Sequence, residues 1–457
     1  LLAKLKDQKT ELIDINVCNY ISLNNEITIK DIAEGFDRAL GLRGGLNKGE
    51  EFDAIVHSTG MLVVRAWLVN YGGSLSTNPR LKRLKHLVGF APATWGSPQA
   101  HKGRTWVGAL VKGNKELGPD FLNAGDRVLE GLELGSEFTW DLSSEDLVGE
   151  QPYYDRGTDT PYVAVFIGNE PYTGISSVAN SPGTDGTVRW AGCSLNTRKI
   201  TIDLTRAGTD GKRLQISKWA DNRLEIPMIA VDGKNHATIL SQPDPKMIDL
   251  TLKFLGISTD QGYTDWLKEA QEYSANALPK MLKNPGPGGI LGGAEKLLAK
   301  MEGKDEPELE GWQQFVVVAR DEWGDGIPDY LMEVDRWENG EWKRFDQMYT
   351  DVHAYGPDQS YRCFYIRLPK GISKPETKLC VRVNASTGTE LMAYRAYLKA
   401  SDGVELNETG SSVSLELADL GNDTLFYPFT TTMIEIKINR EPLPLDKEAR
   451  VLNFEKI

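Results

Sequence analysis

The chain has 457 residues and a formal net charge of −13, with 40% hydrophobic and 26% charged side chains. That acidic balance excludes broad electrostatic attraction to nucleic acid or to an anionic membrane surface, and no apolar run reaches the roughly twenty residues that cross a bilayer. The length favours two domains over one core, and the chain reads as soluble, cytoplasmic or exported.

Four cysteines, Cys18, Cys193, Cys363 and Cys380, show no C-x-x-C spacing, so they read as buried free thiols rather than a metal knuckle or a disulfide framework. The chain opens LLAKLKDQKT without a methionine, and a segment upstream of Leu1 is expected.

The first elements alternate. Leu1 to Lys9 suits the end of a helix, and Glu11 to Cys18 suits a sheet strand. Ile29, Ile32, Ala33, Phe36, Ala39 and Leu40 then recur at helical spacing until Gly41. Phe52 to Trp67, FDAIVHSTGMLVVRAW, reads as a buried strand, a serine, and at once a buried helix. A serine on a sharp strand-to-helix turn stands above the carboxyl edge of a sheet, within reach of a base and of the next backbone N–H. The usual elbow is G-x-S-x-G; here Val56 replaces the first glycine, giving V-H-S-T-G around Ser58. His86 to Ala91 forms another short strand, so strand, helix, strand, helix, strand predicts a parallel sheet with crossover helices.

From His101 to Asp155 the texture is helical and mixed, an insertion of the kind that forms a lid over a site at the carboxyl edge. Its bulky residues, Trp106, Phe121 and Trp140 among them, suit an acyl chain or a packed core equally. The sheet resumes at Tyr162 to Ile167, after which Asp185 sits on a turn. Ile200, Ile202 and Leu204 alternate in a hairpin excursion, Ile226 to Val231 is a further strand, and a DGKN turn delivers His236. Helical spacing covers Met247 to Leu255 and Tyr263 to Leu282. The breaker run PGPGGILGG marks a boundary. Beyond Trp312, short strands at Phe315 to Val318, Tyr330 to Val334, Cys363 to Leu368, Lys378 to Val383 and Met433 to Ile438 predict a β-sandwich-like module. The organisation expected is therefore an α/β domain over 1–284 with its lid insertion at about 101–157, a linker over 285–311 and a β domain over 312–457. In DEWGDGIPDY, Asp321, Asp325 and Asp329 invite a calcium loop, but its twelfth position is Met332 and a turn fits better.

An activated serine needs a base in hydrogen-bond reach and a carboxylate to orient that base. Ser58, Asp185 and His236 follow successive strands in the order Ser, Asp, His, so all three emerge at one sheet edge. Of the other histidines, His57 points across its strand, His86 begins a strand, His101 precedes Asp185, and His353 belongs to the β module.

These residues resemble the α/β-hydrolase lipases and esterases, particularly the branch that includes PGAP1-like and bacterial phospholipase-like proteins. VHSTGMLVVR looks like that branch's H-S-x-G elbow, and LVGFAPATWGSPQAHKGR like its APxxGSP segment. TDGTVRWAG looks like the D-G-x-V acid turn, and NHATIL like the H-x-x-I base loop. The resemblance spans about Glu11 to Leu255 and leaves the C-terminal third uncovered. It implies two-step acyl transfer on carboxylic esters, above all lipid or phospholipid acyl esters, with no metal and no cofactor. Ser58 would be the nucleophile, His236 the base and Asp185 its orienting acid. An acyltransferase or thioesterase with the same triad, and a silent hydrolase-fold scaffold, remain alternatives. The family's H-G strand, whose loop gives the second oxyanion donor, is missing here; its absence is what points upstream of Leu1. Only the Thr59 backbone N–H can be assigned to the oxyanion hole. The β module is expected to contact a lipid surface or a protein partner.

Overall fold

The computed structural model describes residues 1–7, 25–42, 46, 49–69, 79–100, 125–150, 153–154, 160–173, 180–205, 214–216, 226–283, 308–344, 349–372, 379–388, 392–400, 403–406, 412–416 and 425–442. The strand expected at Glu11 to Cys18, His101, Trp106, Phe121 and nearly all of the linker lie outside these residues. The chain divides into two compact units.

The first unit is built on a parallel sheet of β1 (Phe52–His57), β2 (Leu84–Phe90), β3 (Tyr162–Gly168) and β6 (Met228–Val231), in the spatial order β1-β2-β3-β6. Every pairing is parallel, with Val56 opposite Gly89, Gly89 opposite Val165 and Val165 opposite Met228. Parallel strands need crossover elements on their faces, so central ones lose their water on both sides. Accordingly β2 and β3 are buried along almost their whole length, which is why HLVGF and YVAVFI read as continuous apolar runs rather than alternating ones.

The helix that follows the elbow, Gly60–Val69, buries eight of its ten residues, including Trp67. It packs against helix Ile29–Leu42, with Phe36 edge-on to Trp67 at 5.6 Å and the indole N–H of Trp67 donating to Asp37 Oδ1 at 2.8 Å. Thr28 and Asp31 cap that partner helix reciprocally, side chain to backbone in both directions. On another face, Asp244 caps helix Pro245–Leu255 by accepting from the N–H groups of Lys246 and Met247, with Pro245 at its first turn. The helical stretch expected over Tyr263 to Leu282 is two helices, Asp260–Ser274 and Leu278–Lys283. Pro279 explains the break, because it has no N–H to give the preceding turn and its ring crowds that turn.

Within the insertion, the described helices Asp126–Leu132 and Glu137–Asp146 are packed elements: Leu129, Leu132 and Leu142 are fully buried. Trp140 is also buried. Asp146 accepts two hydrogen bonds from Arg65 of the elbow helix, each 2.8 Å, with both side chains wholly excluded from solvent. A buried guanidinium needs such a carboxylate, so this part of the insertion is fixed to the sheet's helical layer.

The second unit contains two larger sheets. One runs β10 (Tyr349–Ala354), β11 (Tyr361–Pro369), β7 (Leu309–Asp321), β17 (Thr430–Pro442), β4 (Thr197–Asp203) and β5 (Leu214–Ile216), with β13 (Met392–Arg395) also pairing β17. The other is antiparallel, β16 (Ser412–Glu416), β12 (Leu379–Ala385), β8 (Tyr330–Glu338) and β9 (Glu341–Arg344). A small ribbon pairs β14 (Tyr397–Ala400) with β15 (Gly403–Leu406). Phe315, Val317, Ile434 and Ile436 from the first large sheet share one apolar core with Val334, Val381 and Val383 from the second.

The hairpin expected inside the hydrolase domain belongs to this unit, which takes Arg198–Lys218. Ile200, Ile202 and Leu204 enter its core, and the Leu204 N–H donates to the Lys437 carbonyl at 2.8 Å. Their alternation marked a strand with one buried face; which sheet supplies the facing layer is a tertiary choice that periodicity does not encode. Strand β7 itself starts at Leu309, six residues before the strand expected from Phe315. Asp321 sits in the turn from β7, its Oδ1 accepting from the N–H groups of Trp323 and Asp325, as the turn reading requires.

Candidate active site

The site is assembled at the carboxyl edge of the parallel sheet, from loops of the first unit. β1 ends at His57, and Ser58 takes φ 52°, the left-handed region that a residue with a Cβ avoids at a cost of about 1 kcal/mol or more. Its backbone is held on both sides: the Ser58 N–H donates to the Phe90 carbonyl at 3.1 Å, and the Ser58 carbonyl accepts from Ala93 at 3.0 Å and Met61 at 3.2 Å. Surrounding structure thus over-determines a strained turn, the condition under which strain persists. Gly60 supports the same turn, because a Cβ there would lie 3.2 Å from Val56 Cβ. With valine where the usual motif has glycine, the crowding is relieved on the other side of the serine.

Asp185 lies on a turn whose following residues hold both its backbone N–H and its carboxylate. Its N–H donates to the Val188 carbonyl, while Oδ1 accepts from the N–H groups of Thr187 at 3.0 Å and Val188 at 2.8 Å. Two backbone donors on one oxygen fix the carboxylate and leave Oδ2 aimed elsewhere. That second oxygen meets His236 Nδ1 at 3.0 Å, and His236 Nε2 meets Ser58 Oγ at 3.1 Å. Asp185 is wholly buried, and His236 and Ser58 nearly so. The three expected side chains are therefore brought together in one chain of hydrogen bonds.

The loop that carries His236 is fastened at several points. The Gly168 end of β3 runs so close that a Cβ there would be 2.2 Å from the Lys234 carbonyl oxygen. Asn169 Oδ1 accepts from the Gly233 N–H, and the Glu170 N–H donates to the Lys234 carbonyl. Asn235 then accepts from the N–H groups of Ala237 and Thr238 and closes the turn into helix Thr238–Ser241. Gly168 and Asn169 were missed in the sequence; the strand's abrupt end in Ile-Gly-Asn was the available signal.

His57 departs from expectation. It does not face away across the strand: its ring lies 4.7 Å from the His236 ring, centroid to centroid, and its Nε2 is 3.0 Å from the His236 carbonyl oxygen. Strand alternation stops at the left-handed turn, so the simple opposite-face rule fails one residue early. Burial, reinforced by the neighbouring His236, pulls the His57 pKa down to about 3 and keeps the ring neutral.

Thr59 immediately precedes the elbow helix, at a helix N-terminus where backbone N–H groups have no intrahelical acceptor and can face an anion. A second His–Asp pair exists, with His86 Nδ1 at 2.6 Å from Asp53 Oδ1. Its other nitrogen bonds to the Ile257 carbonyl at 2.8 Å rather than to a hydroxyl, so it is a packing device. His353 lies on β10. Cys193, Cys363 and Cys380 are buried free thiols. Among the described residues no cluster of histidine, cysteine and acidic groups has the arrangement of a metal site, and no helix is long and apolar enough to cross a membrane.

No protein-family model matches the chain, and no curated protein does so. Among solved structures, two of phospholipase PlaB from Legionella pneumophila align over 100% of this chain and 93% of theirs, at 21% identity. Their TM-scores are 0.68, and 0.66 for the complex of that protein with thio-NAD. The correspondence shows that this chain shares the fold of that protein.

Proposed function

We propose that this protein is a serine hydrolase that cleaves carboxylic esters, with lipid or phospholipid acyl esters as its substrate class. The observation that carries the proposal is the unbroken relay from Asp185 Oδ2 through both ring nitrogens of His236 to Ser58 Oγ, with 3.0 Å and 3.1 Å links. The Asp185 carboxylate accepts from Nδ1–H and thereby leaves the Nε2 lone pair facing the hydroxyl, the tautomer that general-base catalysis requires.

In the first step Ser58 Oγ attacks the ester carbonyl carbon as its proton passes to His236 Nε2. The new imidazolium then gives that proton to the departing alcohol, leaving an acyl-serine. In the second step water adds to the acyl carbon, again losing its proton to His236, and the acid leaves as Ser58 recovers its hydrogen. Asp185 stabilises the charged ring in both steps, and the Thr59 N–H is assigned to the oxyanion. The strained φ of Ser58 supports the reading, because strain of this kind gathers where a side chain must be presented to a substrate.

The lipid substrate class is supported by the fold shared with a phospholipase over the full length of this chain. Contact of the β unit with a lipid surface belongs to the same proposal. Its support is the exposed indoles of Trp323 and Trp337, a residue type that favours the membrane–water interface. Co-sedimentation with phosphatidylcholine vesicles, compared between wild type and a Trp323→Ser, Trp337→Ser variant, measures that contact.

A fluorophosphonate probe tests the chemistry. Wild type is expected to label and Ser58→Ala to stay unlabelled; absence of label on the folded wild-type protein would count against catalysis and favour a silent scaffold. Profiling p-nitrophenyl esters of increasing chain length, followed by phospholipids, then separates a lipase from a short-chain esterase, and adding an alcohol or thiol acceptor separates a hydrolase from an acyltransferase.

A further inference from the structure

We propose that His57 is a positioning residue for the base: its neutral imidazole donates Nε2–H to the carbonyl of His236 and, ring against ring, holds that side chain on line with Ser58. The inference rests on the reading of Ser58, Asp185 and His236 as the reacting set, and it concerns how the set is held rather than what it does.

The argument begins with the backbone of His236. Its N–H donates to the carbonyl of Asp185 at 3.0 Å, and its own carbonyl accepts from His57 Nε2, also at 3.0 Å. Both peptide groups flanking the base are therefore tied, one to the residue of the acid and one to the chain neighbour of the nucleophile. The side-chain relay runs alongside, with His236 bonded to Asp185 and to Ser58. His236 is thus tied to Asp185 by both side chain and backbone, and on the nucleophile's side to Ser58 by its side chain and to His57 by its backbone.

The partner of His57 Nε2 is a carbonyl oxygen, which only accepts, so the proton of the neutral ring resides on Nε2. Burial keeps the ring neutral, with its pKa near 3. A charged ring 4.7 Å from His236 would oppose the imidazolium that forms in each step of the reaction; a neutral one does not. Histidine meets three demands at this position: a flat ring to pack on the base, a donor at the ring's far end, and no charge at working pH.

Rates respond steeply to the placement of reacting groups, and a displacement of about 1 Å costs on the order of a hundredfold. His57→Phe keeps the ring and removes the donor, whereas His57→Gln keeps a donor N–H at similar reach and removes the ring. The experiment measures kcat and KM on a soluble p-nitrophenyl ester, the second-order rate of fluorophosphonate labelling, and thermal unfolding, for wild type, both variants and Ser58→Ala. Expected are a fall of roughly 10- to 100-fold in kcat for His57→Phe with KM within about twofold, an equal fall in labelling rate, and recovery to within about fivefold of wild type in His57→Gln.

Wild-type kcat in a folded His57→Phe overturns the inference, as does a folded His57→Gln no better than the phenylalanine variant. A variant in which KM rises while kcat holds also overturns it, since that is the mark of a residue acting on binding. Should His57→Phe fail to unfold cooperatively, His57→Gln decides alone: kcat within fivefold of wild type supports the donor role, and a larger loss refutes it. Failure of wild type itself to label sinks the hydrolase reading instead, so the two failures are distinguishable.

Discussion

Replacing Asp146 by alanine should destabilise the first unit by about 3–5 kcal/mol, the cost of stranding a buried charge. The structure sets out the components. The hydrogen bonds of Arg65 in the interior include two to the Asp146 carboxylate at 2.8 Å each, one to the Thr94 carbonyl at 2.6 Å and one to Ser143 Oγ at 2.9 Å. Tyr154 donates to the same carboxylate at 2.6 Å, and burial holds that phenol far above its ordinary pKa, so it stays a donor. Without Asp146 the guanidinium loses its countercharge while keeping neutral acceptors such as the Thr94 carbonyl and Ser143 Oγ, and the tyrosine loses its acceptor. With a melting-temperature change of roughly 2–4 °C per kcal/mol for a unit of this size, the expected fall is about 6–20 °C.

The double variant Arg65→Met, Asp146→Leu removes the charge altogether and should recover part of the loss, the remainder being the Thr94 carbonyl, the Ser143 hydroxyl and the Tyr154 phenol, which lose these partners. Calorimetry or urea unfolding of wild type, both single variants and the double gives the coupling energy directly. Because neither side chain meets solvent, the penalty should hold between about 0.05 and 0.5 M salt. A single-variant cost under about 1 kcal/mol, or a penalty that vanishes in salt, would refute the account. The consequence reaches the site, since Thr94 follows Ala93, whose N–H supports the Ser58 carbonyl.

Ser58→Gly should abolish fluorophosphonate labelling yet raise stability by about 1 kcal/mol, because glycine adopts φ 52° without strain; a loss of stability in urea unfolding would show the turn to be unstrained. Gly168→Ala should lower kcat at least tenfold, as its Cβ would meet the backbone of Lys234, two residues before His236, and move the base. A Gly168→Ala variant with wild-type rates would place slack in that loop. His57 carries a pH signature. Its folded pKa near 3 lies below the unfolded value near 6.5, so the unfolded state binds the extra proton between these limits and stability falls as pH drops through the window. His57→Gln lacks that term, and its stability relative to wild type should rise as pH is lowered from about 7 to 4, by up to a few kcal/mol; parallel profiles would refute a neutral His57.

Much of the site was legible because each of its members is announced by local chemistry. A serine between an apolar strand and an apolar helix, an aspartate in a D-G-x-V turn and a histidine after a D-G-K-N turn are short-range patterns whose backbone needs are met within a few residues. Gly168, Asn169 and the role of His57 were not legible. Each acts on a partner that is distant in sequence: 179 residues separate His57 from His236, and 64 separate Asn169 from Gly233.

Hydrophobic period and turn chemistry, properties of a few neighbouring residues, determined the two textures of this protein and the sheet edge from which Ser58, Asp185 and His236 arise. The same information marked Ile200, Ile202 and Leu204 as one face of a strand. Only tertiary structure decided that this face closes the core of the β unit. It likewise decided that Arg65 finds Asp146 across the insertion, and that the strand-end histidine turns back toward the base. A periodic pattern specifies that a face must be buried, but the layer that buries it, and the partner of each buried polar group, depend on which distant segments the packed chain brings alongside.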